Sequence, residues 1–249
     1  KNPPPPPPPF RDDSLAYKHY DIIIYIYITS LFTMKLVYFN ARGLAETTRF
    51  LLAIANVTYT DYRYPLEVLD WSTHKMVKDE FDADKAVGTF ERSLGKVPYL
   101  EVDNVVLSQS KTIERYVANR YNMFGRNDFE MARIDALCEY VRDYKTEYQK
   151  VRTLSDDERT AGMDKWFTET LPERLTSLDT LVGKEGFSVG QTTSLSDVTL
   201  FTFMTQFFDD KERSLAAMSN APNVAGVVER VGFLPSVKEW ITLRPDTSF

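Results

Sequence analysis

The phenol of Tyr38 is a polar group at an unusual place in the sequence. It lies at the end of a short apolar segment, Lys35–Phe39, directly before a turn at Arg42-Gly43. If a helix begins after that turn, the hydroxyl lies near backbone N–H groups at a helix N-terminus, where an anion is stabilised. If only the strand is considered, the better interpretation is that Tyr38 is an ordinary packed aromatic residue of a β-strand.

Val97-Pro98 is a second candidate for binding. The proline lies in a segment, Lys96–Val102, that otherwise reads as a central strand, so it marks an edge, a bulge or a cis turn. A cis bond would leave the N–H and C=O of Val97 available to an extended ligand. An ordinary edge-strand proline is an equally good interpretation.

Polar residues at expected helix starts form a third group. Ser110, after Gln109, is a good N-cap residue, and its N–H begins a helix that could hold a carboxylate, although a purely structural cap is the simpler interpretation. Ser194 and Asp197 have the spacing of a capping box, which we interpret as structural.

Trp71, Lys75 and Lys96 complete the candidates. Trp71 and Lys75 are four residues apart and would project together from a helical turn, and Lys96 stands beside Val97-Pro98. A packed tryptophan and solvated lysines are the alternative.

The elements that must position these residues form two modules. Strand Lys35–Phe39, helix Leu44–Ala55 and the β-rich segment Asn56–Tyr62 predict a β–α–β unit with parallel strands. Residues 65–94 read as irregular or partly helical. A strand at Lys96–Val102, a turn at Asp103-Asn104, a strand at Val105–Leu107 and a helix then complete a domain over residues 34–120.

The second module is predicted to be all-helical, over residues 127–249 after a linker at 121–126. Apolar residues recur at helical spacing from Met131 to Val151 and over residues 157–182. Leu195–Phe208 is apolar throughout and predicts a buried central helix. Two shorter helices are expected near Leu215–Arg230 and Ser236–Leu243.

Residues 1–33 differ from the rest. Pro3–Pro9 is an unbroken proline run, and the apolar segment Ile22–Phe32 is too short to span a membrane. A signal-peptide segment or a buried strand is the alternative, but we interpret residues 1–33 as a disordered or non-native extension ahead of Met34.

The composition excludes several classes of function. The chain has 249 residues, a formal charge of −6 and a pI near 5.1, which argue against nucleic acid, and no basic cluster suggests a membrane surface. With the single cysteine Cys138 and two histidines, an intramolecular disulfide is impossible and a zinc or iron–sulfur site is close to excluded. A cytoplasmic, reducing location fits best.

The order of these motifs resembles one family. From Met34 onward the chain is similar to the cytosolic glutathione S-transferases, most closely the sigma class, which includes the glutathione-dependent prostaglandin D synthases. The similarity is carried by Tyr38–Glu46, Asp70-Trp71, Gly95–Leu100, Gln109-Ser110, Ser194–Asp197, Val237–Ile241 and Arg244-Pro245. It implies a thioredoxin-like domain followed by an all-helical domain, a homodimer, and a detoxifying transferase that joins glutathione, its co-substrate, to small hydrophobic electrophiles.

The resemblance also implies roles for individual residues. Tyr38 would donate to the glutathione sulfur and stabilise the thiolate. Val97, next to a cis Pro98, would pair with the cysteinyl backbone. The glycine end would be bound by Trp71, Lys75 and Lys96, the γ-glutamyl carboxylate by Gln109 and Ser110, and the amine of the partner subunit's ligand by Asp143.

Departures from the family pattern limit these expectations. Arg142 stands where metal-sensitive prostaglandin synthases have a second carboxylate, so we expect no metal dependence. The electrophile pocket is expected on Tyr144, Tyr148 and residues near the C-terminus, and Arg42 is expected to brace the turn or nearby carboxylates. The segment between Lys75 and Gly95 is longer than in the sigma class, which leaves the placement of Lys75 in the site open.

Other functions on the same fold stay open. Lys145–Lys150 contains no tryptophan, which favours general conjugation over prostaglandin synthesis. A non-catalytic binding or structural protein, or an isomerase or peroxidase using the same thiolate, is the alternative. A thioredoxin-type disulfide enzyme is excluded because residues 34–120 contain no cysteine.

Overall fold

The computed structural model describes residues 33–70 and 75–247. The interpretation of residues 1–33 therefore lies outside the described part of the chain, except for Thr33. Within the described part, no helix combines the length and apolarity needed to cross a lipid bilayer.

The N-terminal domain is built on a mixed sheet of four strands. Its strands are β1 (Met34–Phe39), β2 (Thr60–Tyr64), β5 (Tyr99–Val102) and β6 (Val105–Ser108), and their order in the sheet is β2-β1-β5-β6. A short 3₁₀ turn (Gly43–Ala45) and helix α1 (Glu46–Ile54) connect β1 to β2, which pair in parallel as the β–α–β pattern predicts.

The rest of that sheet also follows the prediction. β5 is antiparallel to both β1 and β6. Asp103 and Asn104 have φ of +47° and +67°, the conformation of a two-residue hairpin turn. Helix α3 (Ser110–Arg120) follows β6 and completes the thioredoxin-like arrangement.

The connector between β2 and β5 is more ordered than expected. It contains an antiparallel pair, β3 (Glu67–Asp70) and β4 (Lys75–Val77), then helix α2 (Asp79–Ala86) and a 3₁₀ turn (Glu91–Ser93). The strands are too short and too charged to show a clear alternation. Lys75 begins a strand, and the helical turn that it was expected to share with Trp71 lies outside the described residues, as does Trp71 itself.

The helical domain begins with α4 (Asp128–Arg152), the long amphipathic helix expected. The segment predicted as one helix over 157–182 is α5 (Asp156–Lys165), a π-helical turn (Trp166–Thr170) and α6 (Leu171–Asp179). Pro172 lacks the N–H that would continue a helical ladder, which accounts for the irregular turn before it.

The C-terminal part, as described up to residue 247, has three helices after the central one, where two were expected. Helix α7 (Leu195–Thr202) and a π-helical turn (Phe203–Phe207) precede α8 (Lys211–Ala216), α9 (Pro222–Phe233) and α10 (Pro235–Leu243). Pro222 suits the first turn of a helix and not its interior, so the segment predicted near Leu215–Arg230 divides.

The central helix α7 joins the two domains. All of its residues are buried, as predicted, and its start is the expected capping box. The Ser194 N–H donates to Asp197 Oδ2 at 2.7 Å. From the N-terminal domain, the ring of Phe50 meets the ring of Phe201 edge-on, with centroids 5.3 Å apart. One apolar core therefore runs through both domains.

Candidate active site

The Tyr38 hydroxyl lies next to a backbone N–H at the turn before the helix, as its position in the sequence suggested. It is 9% exposed, and its hydroxyl oxygen accepts a hydrogen bond from the Leu44 N–H at 3.3 Å. Burial raises the pKa of Tyr38 above its ordinary value, against the smaller opposing effects of the Leu44 N–H and of Arg49. The phenol is therefore protonated at neutral pH, and with one lone pair taken by Leu44 its proton is available to a second acceptor.

Gly43 makes room for that hydroxyl. Its φ is +38°, and a Cβ built at this position would lie 2.7 Å from the Tyr38 hydroxyl oxygen. A side chain here would displace the phenol and strain the backbone at once. The turn therefore requires glycine for two independent reasons.

The sheet register brings three predicted residues to one end of the sheet. Val37 pairs with Tyr99, and Tyr99 pairs with Ser108. One residue beyond this row lie Tyr38, Pro98 and Gln109, on three neighbouring chains. The Val97-Pro98 bond is cis, as the sequence suggested, and Val97 is half-buried while Pro98 is buried.

Gln109 and not Ser110 occupies the cap of α3. Gln109 has φ +72° and no side-chain capping bond, and Ser110 is the first helical residue. The expectation that Ser110 caps the helix is therefore wrong, because the helix starts one residue earlier, with Gln109 in the cap position and Ser110 as the first helical residue. A non-glycine residue in this region of φ is strained, and such strain concentrates at binding sites.

The remaining predicted ligands are exposed charges. Lys75 lies at the start of β4, Lys96 in the turn before β5, and Asp143 on α4. The structure does not bring Asp143 into contact with the Tyr38 end of the sheet within one chain. Arg142 pairs with Glu139 on the same helix.

A buried charge network holds the turn after Tyr38, and the sequence analysis did not identify it. The fully buried Arg49 donates to the Ala41 carbonyl at 2.6 Å and to Glu46 at 3.3 Å. Glu46 also accepts from Trp240 Nε1 at 2.9 Å and from Arg244 Nη1 at 2.6 Å. The sequence did contain a signal for this network. Glu46 and Arg49 are charged, lie three residues apart, and fall on the core side of a short apolar helix.

Arg42 does not have the bracing role expected of it. Its Nε is buried and has no hydrogen-bond partner among the described residues. Arg49 takes that role because it projects from α1 back towards the turn. Arg42 instead lines a cavity beside Tyr38.

That cavity lies between the two domains and has a volume of about 440 Å³. The N-terminal domain contributes Tyr38, Arg42 and Leu44, and the helical domain contributes Lys145, Gln149 and Phe207. The volume is that of a small-molecule site. A ligand in this cavity would lie against the Tyr38 hydroxyl.

Tyr144 and Tyr148 do not line this cavity, so their expected place in the electrophile pocket is wrong. They are 8% and 1% exposed and pack into the helical core, where the Tyr148 ring lies 4.9 Å from the Phe208 ring. The helix turns the neighbouring side chains, Lys145 and Gln149, towards the cavity. The C-terminal helix acts indirectly, through Trp240 and Arg244 on Glu46.

No metal centre is evident in the parts of the chain described here, where no group of three or more His, Cys, Asp or Glu side chains could hold an ion. The thiol of Cys138 is buried and 3.6 Å from Thr199 Oγ1. Burial raises its pKa to about 12, so it is an unreactive core thiol.

Family models match both domains. The model of the glutathione S-transferase N-terminal domain matches residues 34–119, and that of the C-terminal domain matches residues 142–244. The residues between the two matches, 120–141, include the first half of α4 (Asp128–Arg152).

Individual proteins match over nearly their full length. The chain is 32% identical to the hematopoietic prostaglandin D synthase of Gallus gallus, over 86% of this chain and 98% of that protein. It is 27% identical to the S-crystallin SL11 of Nototodarus sloanii, with 86% and 98% covered. The crystal structure of a monomeric glutathione S-transferase, Na-GST-3 of the hookworm Necator americanus, is similar with a TM-score of 0.72 and 25% identity, covering 87% of this chain and all of that one.

Proposed function

Because the chain belongs to the glutathione S-transferase family, we propose that it conjugates the glutathione thiolate to small hydrophobic electrophiles, with Tyr38 as hydrogen-bond donor to the sulfur. The single observation that carries this proposal is the Tyr38 hydroxyl. It accepts from the Leu44 N–H, keeps its own proton, and faces a cavity large enough for a second substrate.

The role of Tyr38 is electrostatic. A free thiol has a pKa of about 8.5, so at neutral pH the thiolate is a minority species. A hydrogen bond from a neutral phenol stabilises the thiolate more than the thiol, and a lowering of the thiol pKa by about two units makes the thiolate the main species at neutral pH. The thiol proton leaves to solvent. The sulfur then attacks the electrophilic carbon, and in a substitution the leaving group departs with its electron pair.

The rest of the glutathione site is proposed along the same end of the sheet. The Val97 backbone would pair with the cysteinyl residue, beside Pro98. Gln109 and the Ser110 N–H, at the start of α3, would bind the γ-glutamyl carboxylate, and the helix N-terminus favours that charge. Lys75 and Lys96 would bind the glycine carboxylate, together with Trp71, which lies outside the described residues.

The test is a Tyr38→Phe variant assayed with a chlorodinitrobenzene substrate. We expect kcat/KM to fall by about tenfold or more and the pH profile of kcat/KM to shift upward by one to two units, towards the free thiol pKa of about 8.5. The KM for glutathione should stay within about twofold. Tyr62→Phe, on the neighbouring strand β2, is the matched control and should change neither quantity.

Retention of full activity and an unchanged pH profile in Tyr38→Phe would refute this role. The alternative of a non-catalytic protein is also tested, because a crystallin is among the relatives of the chain. A chain that binds glutathione with no turnover of any electrophile would favour a binding or structural protein. Turnover of hydroperoxides or of isomerisation substrates alone would favour the other thiolate chemistries.

A further inference from the structure

The charge of the interdomain cavity is opposite to that of the protein. The cavity is lined by four cationic side chains, Arg42, Lys145, Arg152 and Lys211, and by two carboxylates, Glu46 and Asp209. The whole chain has a formal charge of −6. An acidic protein therefore has a cavity with a surplus of two positive charges.

Both carboxylates of the cavity are already engaged. Glu46 is held by Arg49, Trp240 and Arg244. Asp209 lies 4.0 Å from Arg152. The charge of Glu46 is therefore matched by arginines outside the cavity lining, and the exposed Asp209 offsets the charge of Arg152.

Lys145 is the cation in this cavity whose setting is most unusual. It projects from α4, and its Nζ lies 4.9 Å from the centre of the Phe207 ring and 5.9 Å from that of Phe203. In the part of the chain that the structure describes, it forms no ion pair with a carboxylate. Burial lowers the pKa of Lys145 to about 8, with a further lowering from the nearby Lys111.

The other ionisable groups around Lys145 do not neutralise it. On α3, Glu114 accepts from Lys111 Nζ through both carboxylate oxygens at 2.8 Å, so its charge is matched. On α4 itself, the Cys138 thiol is neutral. A partly buried ammonium whose partners among the described residues are aromatic rings is costly, and a ligand anion would offset that cost.

We propose that Lys145 selects, as the second substrate, apolar electrophiles that carry a carboxylate. This inference rests on the proposed function, because it places the electrophile in the cavity beside Tyr38. The rings of Phe207 and Phe208 would take the apolar part, and the ammonium of Lys145 would take the acid group, with Arg42 and Lys211 as further cations lining the same cavity. Lys145 is thus a specificity-determining residue that binds substrate and takes no part in the bond-making step.

A matched pair of substrates isolates the charge. Chlorodinitrobenzoic acid and its primary amide have the same shape and leaving group, and differ in the carboxylate. We expect the ratio of kcat/KM for the acid to kcat/KM for the amide, corrected for their uncatalysed rates, to fall about tenfold or more in Lys145→Met. The amide alone should change by less than about twofold.

Two further variants serve as controls. Lys145→Arg keeps the charge and should retain most of the preference for the acid. Lys150→Met removes an exposed lysine from the same helix and should leave the ratio unchanged. A loss of the preference in Lys150→Met as large as in Lys145→Met would overturn the proposal, because it would reveal a general effect of protein charge.

The pH dependence gives an independent readout. Below pH 8 Lys145 is protonated, so the acid-to-amide ratio should be high, and it should decline as the pH rises through about 8. The ionisation of glutathione affects both substrates and cancels in the ratio. In Lys145→Met this decline should be absent.

Binding separates this proposal from the proposed function. An anionic fluorescent probe, anilinonaphthalene sulfonate, should bind several-fold more weakly to Lys145→Met, while the neutral phenylnaphthylamine should bind equally to both proteins. If wild type turns over neither dinitrobenzene, the proposed function fails while the probes still test Lys145. Equal use of acid and amide by wild type, or equal probe binding by wild type and Lys145→Met, overturns the role of Lys145.

Discussion

At the scale of residues, the candidate site depends on the hydrogen bonds and the packing of a few individual side chains. Tyr38 has a hydroxyl proton free to be donated, because the Leu44 N–H occupies its acceptor side and burial keeps the phenol protonated. That geometry exists because Gly43 has no side chain. Lys145 likewise differs from the lysines on the outer surface, because its amine lies against an aromatic ring that lines a cavity.

Gly43→Ala should damage activity more than stability. The new Cβ would lie 2.7 Å from the phenol oxygen at a backbone φ of +38°, so we expect kcat/KM to fall about tenfold and the free energy of unfolding to fall by about 1 kcal/mol. Steady-state kinetics and urea unfolding measure the two effects.

Gly226→Ala is the matched control for that change. Gly226 lies inside α9, and a Cβ there would meet no atom within 4 Å. Its replacement should leave kcat/KM unchanged and stabilise the protein by up to about 1 kcal/mol, because alanine favours a helix interior. If Gly43→Ala kept normal kinetics, the close approach at Tyr38 would have no functional importance.

At the scale of elements, helix α1 fixes the turn after β1, and α10 fixes α1. Glu46, near the start of α1, is 3% exposed and joins Arg49 to Trp240 and Arg244 near the C-terminus. The C-terminal helix therefore contributes to the site by holding the carboxylate that holds Arg49. Thr47 and Thr202, 3.1 Å apart, add a polar contact between α1 and α7.

Arg244→Met should destabilise the protein by roughly 2 to 4 kcal/mol, because it leaves the buried Glu46 with less compensation. Arg159→Met removes the same group from an exposed pair with Asp156 and should cost less than about 1 kcal/mol. Urea unfolding of both variants gives the comparison. Equal effects would mean that the buried network contributes no more than a surface pair.

At the scale of the whole molecule, the two domains share one core. Apolar residues of β1, α1 and α3 belong to the same buried cluster as those of α4, α7 and α9. The cavity beside Tyr38 is formed by both domains, so its shape depends on this packing. Neither domain alone would contain the proposed site.

Assembly adds a last proposal at this scale. Asp143 is exposed on α4, and the family resemblance implies that it reaches a partner subunit's glutathione. In a homodimer, Asp143→Asn should raise the KM for glutathione severalfold with little change in kcat, and Asp128→Asn on the same helix should not. Sedimentation at assay concentrations reports the assembly. A fully active monomer with an unchanged KM in Asp143→Asn would contradict this role, and a monomeric relative shows that the fold does not require a dimer.

The sequence by itself determined the elements and the end of the sheet where the candidate residues lie. Apolar spacing predicted β1, α1, α4 and α7, and turn residues predicted the Asp103-Asn104 hairpin, because each depends on local backbone chemistry. For Val97-Pro98 the residues left an edge, a bulge and a cis turn open, and the bond is cis. The short strands β3 and β4 were missed because charged residues conceal their alternation.

Only the tertiary structure decided which side chains face each other. A helix pattern does not say which neighbour a side chain meets, so Tyr144 and Tyr148 were assigned to the pocket while Lys145 and Gln149 line it. The bracing role expected of Arg42 belongs to Arg49 for the same reason. Long-range pairs such as Glu46 with Arg244 arise from packing across both domains, and nothing in the local sequence specifies them.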